Sequence, residues 1–395
     1  MNVPKLRFKE FNDEWRQINL KETFIYLSTN SLSREQLSDK GILKNLHYGD
    51  IHRKYNSIVN ENDDITTYVK DLNYINKYEK IKENDLIFAD ASEDYDGIGK
   101  AVEVINIKND TISGLHTILA REKEKIFAPM FKGYYFNSYI IHNQIRVLAN
   151  GFKVYGISKD SINKLNVKIP TINEQKKIAN TLNLLDKKIE LQSRKIEDLK
   201  LFKKGLLSIF LDKNIERSVK LANIAIFKNG KGHENIVNDN GSYVLVNSKF
   251  ISTDGKVSKY CNNQLSPLYK NDIVMVMSDL PKGKVLAKCF IIDKNNLYSL
   301  NQRICSLTID KNCDPYYIFY KINRNPYYLK FDDGVNQTNL KKEDVLNLII
   351  DVPNLNNQKK YSKYLIQMDK KIYIENKKVL KLQELKKGLM QSMFV

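Results

Sequence analysis

The 395-residue chain is poor in the residues that would announce a metal centre, a disulfide scaffold or a membrane span. Its four cysteines, Cys261, Cys289, Cys305 and Cys313, all fall in the second half and form no Cys-x-x-Cys pair. The five histidines are scattered, and none stands at metal-ligand spacing from a cysteine. A structural zinc site needs four such ligands converging, so no metal is expected and the thiols are read as free, buried and reduced. Apolar runs such as Ile273–Met277 are far shorter than the ~18–20 residues of a membrane span. The opening stretch, MNVPKLRFKE, lacks the apolar centre of a signal peptide. The expectation is a cytoplasmic protein with no membrane partner.

Catalytic signatures are also missing. No glycine-rich turn joins a strand to a helix, as a nucleotide cofactor would require, and there is no Gly-Lys-Ser/Thr phosphate loop. Asp314-Pro-Tyr-Tyr317 and Asn325-Pro-Tyr-Tyr328 approach the (Asn/Asp)-Pro-Pro-(Tyr/Phe) motif of amino-methyltransferases, but both lack the second proline. A turn leading into an aromatic helix face explains them better. The chain is therefore expected to be non-catalytic and to carry no cofactor of its own.

What the sequence does contain is basic charge and a repeat. Lys and Arg number 64 against 46 Asp and Glu, a net charge of +18. Such an excess favours a polyanionic partner, because each phosphate neutralised releases condensed counterions. With 42% apolar residues the chain can still fill two or three ordinary cores. Sliding the chain by 183 residues lays segment 157–206 on segment 340–389 without a gap, and 18 of the 50 positions are identical. The matches include Pro170/Pro353, Gln175/Gln358, Asp186/Asp369 with the Lys-Lys-Ile that follows, and the Lys-Lys-Gly-Leu ending. Shared heptad periodicity alone would not reproduce the proline, the glutamine and the ungapped register.

Each repeat closes with a helix whose apolar positions recur at 4-3 spacing. In the first copy the seam runs through Leu182, Leu185, Ile189, Gln192, Ile196 and Leu199. In the second it runs through Leu365, Met368, Ile372, Glu375, Val379 and Leu382. A sustained 3.5-residue period keeps one seam facing a partner helix, which is the coiled-coil signature. Polar Gln192 and Glu375 within the seam weaken it but disfavour shifted registers. Each helix is expected to start after its proline and to end near Gly205 or Gly388. The organisation read from this is a first head over 1–165, a helix over 170–212, a second head over 217–348 and a helix over 353–395. Asp85-Leu-Ile-Phe and Asp272-Ile-Val-Met-Val-Met read as the same strand beginning in each head. Otherwise the heads diverge far more than the helices.

If the polyanion favoured by the charge is DNA, reading its sequence would need side chains that present donors and acceptors to base edges, carried on loops of a rigid frame. Candidates in the first head are Lys100, His116, Arg121, Lys153 and Tyr155. Those in the second are Lys228, Lys231, Lys282, Lys284, Asn301, Gln302, Arg303, Asn336, Gln337 and Thr338. A phosphate clamp carrying no sequence information is the competing role for each.

Across nearly its whole length the chain resembles the specificity subunits of type I restriction–modification enzymes. The resemblance rests on the lead-in Pro4-Lys-Leu-Arg-Phe-Lys-Glu-Phe with Trp15, on the stretch from Ile157 through Glu174-Gln175 to Ile178-Ala179, and on the Leu-Lys-x-x-Lys-Lys-Gly-Leu-Leu ending and its repeat at 382–390. The second copy departs from the pattern, with Asn357-Gln358 for Glu-Gln and Tyr361-Ser362 for Ile-Ala. The resemblance implies an α+β fold. Two mixed α/β target recognition domains would be joined by two long helices in an antiparallel coiled coil with a pseudo-twofold internal repeat. It further implies that each domain reads one half of a bipartite, asymmetric site in double-stranded DNA, with the unread spacer set by the helices. Two methyltransferase subunits would dock on the frame to methylate adenine, and restriction/translocase subunits would join the full complex. S-adenosylmethionine, ATP and Mg would belong to those partners. The seam from Ile178 to Leu206 spans 28 residues, about 42 Å at ~1.5 Å per residue, near the ~34–36 Å between half-sites of paired readers. The rival expectation is a basic coiled-coil scaffold that binds nucleic acid without sequence preference.

Overall fold

The computed structural model describes residues 3–60, 67–75, 78–151 and 153–395. The chain divides into two compact units, Met1–Ser193 with Lys377–Val395, and Arg194–Asn376. Each unit consists of one head and a segment from each of two long helices, Ile172–Asp212 and Leu355–Ser392.

The heads share a plan that their sequences hide. In the first, a five-stranded sheet has the order Phe24–Leu27, Thr117–Glu122, Leu86–Ala89, Ala101–Ile105, Ile58–Asn60. In the second, the order is Ala225–Asn229, Ile304–Ile309, Ile273–Val276, Cys289–Ile291. The strand read as common to both heads does occupy the same place. Leu86–Ala89 and Ile273–Val276 are buried along their whole length, as strands covered on both faces must be. Each is launched by the same local device. An asparagine in the left-handed region (Asn84, φ 65°; Asn271, φ 73°) precedes an aspartate that accepts a backbone N–H three residues back. A smaller sheet in each head contains one parallel pair: Thr111–Ser113 beside Lys44–Leu46, and Tyr298–Leu300 beside Tyr243–Val246.

The first core gathers Trp15, Phe24, Phe131, Tyr134, Tyr135 and Phe136, and is closed by Met393 and Phe394 from the far end of the chain. Leu6 N–H donates to the Ser392 carbonyl at 2.9 Å, joining the two chain ends within this unit. Lys132 is fully buried between Glu103 and Glu122, and burial pushes the Glu103 carboxyl above its ordinary range. The second core holds Cys289, Cys305 and Cys313, and Cys261 is buried on the smaller sheet opposite Tyr243, all as free thiols. Burial pushes Cys305 up to about 12. The Asp314 and Asn325 motifs are helix starts. Each side chain caps the helix that opens on the following proline, and Tyr317 and Tyr328 are buried in the core.

Every expected seam position of both long helices is buried or half-buried, from Leu182 to Leu199 and from Leu365 to Leu382. Within the second unit Lys195 meets Glu375 at 3.1 Å and Lys203 meets Asp369 at 2.5 Å, so the helix segments run antiparallel. Within the first, Asp186 meets Lys386 at 2.6 Å. Gly205 and Gly388 do not end the helices, which continue to Asp212 and Ser392. Helical hydrogen bonding carries through both glycines, because the conformational entropy each adds is small against the packing of the seam.

The repeated Pro and Gln have a structural use. Gln175, buried, accepts the Ala128 N–H at 2.9 Å and donates to the carbonyls of Ile126 (3.1 Å) and Pro170 (3.0 Å). Gln358 accepts the Asp314 N–H at 2.9 Å and donates to the Pro353 carbonyl at 2.8 Å. Each glutamine therefore fastens the first turn of its long helix to its own head.

Candidate nucleic-acid interface

One edge of each main sheet collects the candidate residues. In the second head Lys228 pairs in register with Ser306, and the strand leaves the sheet through Gly230, whose N–H donates to the Ile304 carbonyl at 3.0 Å. Lys231 then bridges to Asn301. Buried His233 anchors this loop through the Lys231 carbonyl and the Ser299 hydroxyl, both at 2.7 Å. Beside it, Met277 N–H donates to the Arg303 carbonyl at 3.0 Å. Ser278–Asp279 pairs with Thr338–Asn339, and Gln337 donates to the Ser278 hydroxyl at 2.7 Å. The four loops carrying Lys228 and Lys231, Lys282 and Lys284, Asn301 to Arg303, and Asn336 to Thr338 thus converge.

Their shapes are imposed by carboxylates. Asp279 accepts the N–H groups of Leu280, Val285 and Leu286 at 2.7–2.9 Å, wrapping the Lys282–Lys284 turn around itself. A β-carbon at Gly283 would collide with that carboxylate. Asp333 accepts from Val335 N–H, Asn336 N–H and the Asn336 amide, and these bonds hold its carboxyl below the usual range. Lys228, Lys231, Lys282, Lys284, Gln302, Arg303, Asn336 and Gln337 are exposed; Asn301 is half-buried and Thr338 buried. Gln302 also pairs with Glu234. Asp279 and Asp333 were not anticipated from sequence, although the Pro281-Lys-Gly283 turn signal lies beside the first.

In the first head the corresponding edge carries His116, Lys153 and Tyr155. His116 lies beside Asp90, Nδ1 to Oδ1 3.2 Å, and packs edge-on to Tyr48 at 5.3 Å between ring centres. Tyr155 pairs in register with Ser92 and packs edge-on to Tyr95. Lys153 is exposed. The other two candidates are engaged in the frame of the head. Lys100 Nζ donates to the carbonyls of His52 (3.2 Å) and Tyr55 (2.6 Å), and burial lowers its pKa. Its counterpart Lys288 is held in the same way, by the Ser252 carbonyl at 2.8 Å. Arg121 lies at the opposite end of the sheet, paired with Asp85 at 2.7 Å and donating to the Lys80 carbonyl. Among the described residues no cluster of His, Cys, Asp and Glu is placed to hold a metal ion, and no helix is long and apolar enough to cross a membrane.

Comparison with known proteins gives this arrangement a family. The type I restriction modification DNA specificity domain matches twice, over residues 12–201 and 215–384. A curated relative, the putative type I restriction enzyme MjaX specificity subunit of Methanocaldococcus jannaschii, is 22% identical over 419 aligned positions, covering 98% of this chain and 95% of its own. The fold is similar to the S subunit of a type I restriction–modification system from M. genitalium, with a TM-score of 0.62, 16% identity, and 100% and 99% of the two chains covered. A chain from a structure concerned with complex assembly and conformational transition of the type I R-M system gives a TM-score of 0.57 at 14% identity, covering 95% and 96%. The chain belongs to the type I restriction–modification DNA specificity family, as a specificity subunit.

Proposed function

We propose that this subunit recognises a bipartite, asymmetric site in double-stranded DNA, one half per head, without catalytic chemistry of its own. The observation that carries the reading is the convergence of base-competent side chains on the equivalent sheet edge of each head, together with helices repeated in ungapped register. Two methyltransferase subunits dock on that frame and methylate adenine, and restriction/translocase subunits complete the assembly. S-adenosylmethionine, ATP and Mg are held by those partners, in the cytoplasm. The contacting residues are drawn from the convergent loops. Lys100 serves the edge indirectly, by fixing backbone beside it, and Arg121 braces the opposite end of the sheet.

Methylation mapping in cells carrying the chain with its methyltransferase partner tests this directly, since it returns both half-sites and the spacer. Inserting four residues into each long helix lengthens each by about 6 Å. The spacer should then change while both half-sites persist. Altered half-sites with an unaltered spacer would refute the ruler role. Strong salt-dependent binding with no preferred site would instead identify a non-specific scaffold.

A further inference from the structure

The two head edges differ in loop length and in almost every side chain, yet one position is held alike. Thr117 pairs with Ala89 in the first head, and Ile304 pairs with Val276 in the second. The residue before each of these strands is therefore equivalent: His116 and Arg303. The backbone confirms the match. His116 and Arg303 carbonyls accept N–H from Asp90 and Met277, each at 3.0 Å. The Asp90 and Met277 carbonyls in turn accept N–H from Ile157 (2.9 Å) and Leu340 (2.8 Å).

Both residues adopt the left-handed conformation, φ 52° for His116 and 65° for Arg303. Glycine would sit there without strain, whereas a large side chain carries it, and such strain persists where the side chain is needed. Arg324, also left-handed, has a packing reason, since its guanidinium donates to the Leu286 carbonyl at 3.1 Å. The side chains of His116, beside Asp90 and Tyr48, and of Arg303 are both exposed at the centre of the edge. Arginine can donate twice to guanine O6 and N7. With Nδ1 committed to Asp90, the neutral histidine ring offers Nε2 as an acceptor and the protonated ring offers it as a donor.

We infer that His116 and Arg303 are one base-reading position present twice, and that the side chain placed there selects a base in each half-site. The inference rests on the proposed role of the heads. Its test uses the full-length chain in its complex with the methyltransferase subunits, comparing wild type with His116→Gly and Arg303→Gly by methylation mapping and thermal melting. Glycine suits the backbone, so Arg303→Gly should melt at or above the wild-type temperature, and His116→Gly, which also gives up the Asp90 and Tyr48 contacts, should melt close to it. Arg303→Gly should relax discrimination by about 10- to 100-fold at one base pair of one half-site. His116→Gly should do so in the other half-site alone. An unchanged motif, or weakening spread evenly over every position, would overturn the inference while leaving the split-site reading intact. A wild-type complex with no split motif would overturn both.

Discussion

Replacing Gln175 by alanine tests whether the repeated glutamines are the fastenings between helix and head. The side chain is 1% exposed and makes three hydrogen bonds to main chain. Alanine leaves the buried Ala128 N–H without its acceptor and two carbonyls without a donor. An unsatisfied buried group costs about 1–3 kcal/mol, with the donor nearer the upper end. Carbonyls recover part of their loss through their second lone pair, so about 2–4 kcal/mol in total is expected. In a unit of this size each kcal/mol lowers Tm by roughly 2–4 °C. The first unit should therefore melt roughly 5–15 °C lower. Gln358→Ala removes two such bonds and should cost about 1.5–3 kcal/mol in the second unit.

The readout that isolates the fastening is hydrogen exchange resolved by segment. Gln175→Ala should raise exchange around Ala128–Phe136, and Gln358→Ala around Asp314–Ile322. Gln175→Glu separates hydrogen bonding from packing. The new carboxylate can still accept from Ala128 but faces two carbonyls, so burial and repulsion raise its folded pKa above the ordinary ~4.3. Stability is then fullest below that ordinary value and falls as pH rises through the folded one. A loss below about 0.5 kcal/mol for Gln175→Ala, or equal exchange gains in both heads, would refute the fastening.

Two further outcomes follow from the same structure. Gly205 and Gly388 lie inside the helices with open space where a β-carbon would go, so Gly205→Ala and Gly388→Ala should each stabilise the chain by about 0.5–1 kcal/mol in denaturant titration; a loss of stability would mean that something packs there. His47 and His142 both have pKa values lowered, chiefly by burial, so the neutral forms stabilise the first head. That contribution is present above the ordinary histidine value of ~6.5 and is lost as pH falls through the lowered folded values. His47→Asn, which keeps the cap on Gly49 N–H, should flatten the acid limb of the melting profile, and an unchanged limb would exclude His47 as its source.

The sequence disclosed the helices almost completely and the heads hardly at all, for physical reasons. A coiled-coil seam is a linear pattern, so the residues from Leu182 to Leu199 could be read straight from their spacing. Gly205 and Gly388 lie near the helix ends, as expected, and packing along the seam carries the helices past them to Asp212 and Ser392. The head sheets pair strands distant in sequence, such as Phe24–Leu27 with Thr117–Glu122, and no local spacing encodes that. Only the Asp85 and Asp272 strand starts showed, because the aspartate bonds within its own turn. Charge type could not separate Lys100 and Arg121, which hold backbone in place, from Lys282 and Lys284 on an exposed turn. The equivalence of His116 and Arg303 was hidden because the fold keeps a position and a backbone conformation there, not a residue type.

That contrast explains why identity is kept in the frame and shed in the heads. Asp186 accepts from Tyr134 and pairs with Lys386, whose ammonium lies over the Tyr134 ring. In the second unit Asp369 accepts from Tyr320 and pairs with Lys203, which lies over the Tyr320 ring. Asp186 and Asp369 are copies of one another under the 183-residue shift, and so are Lys203 and Lys386. Each joint therefore takes its aspartate from one helix and its lysine from the other. Both helices must keep both residues, because losing either in one copy breaks one joint while sparing its twin. The head edges carry no such cross-requirement. Each needs only a rigid backbone, set by loop carboxylates such as Asp279 and Asp333 and by left-handed turns. Under the proposed function any base-competent side chain can be mounted on it independently of the other head.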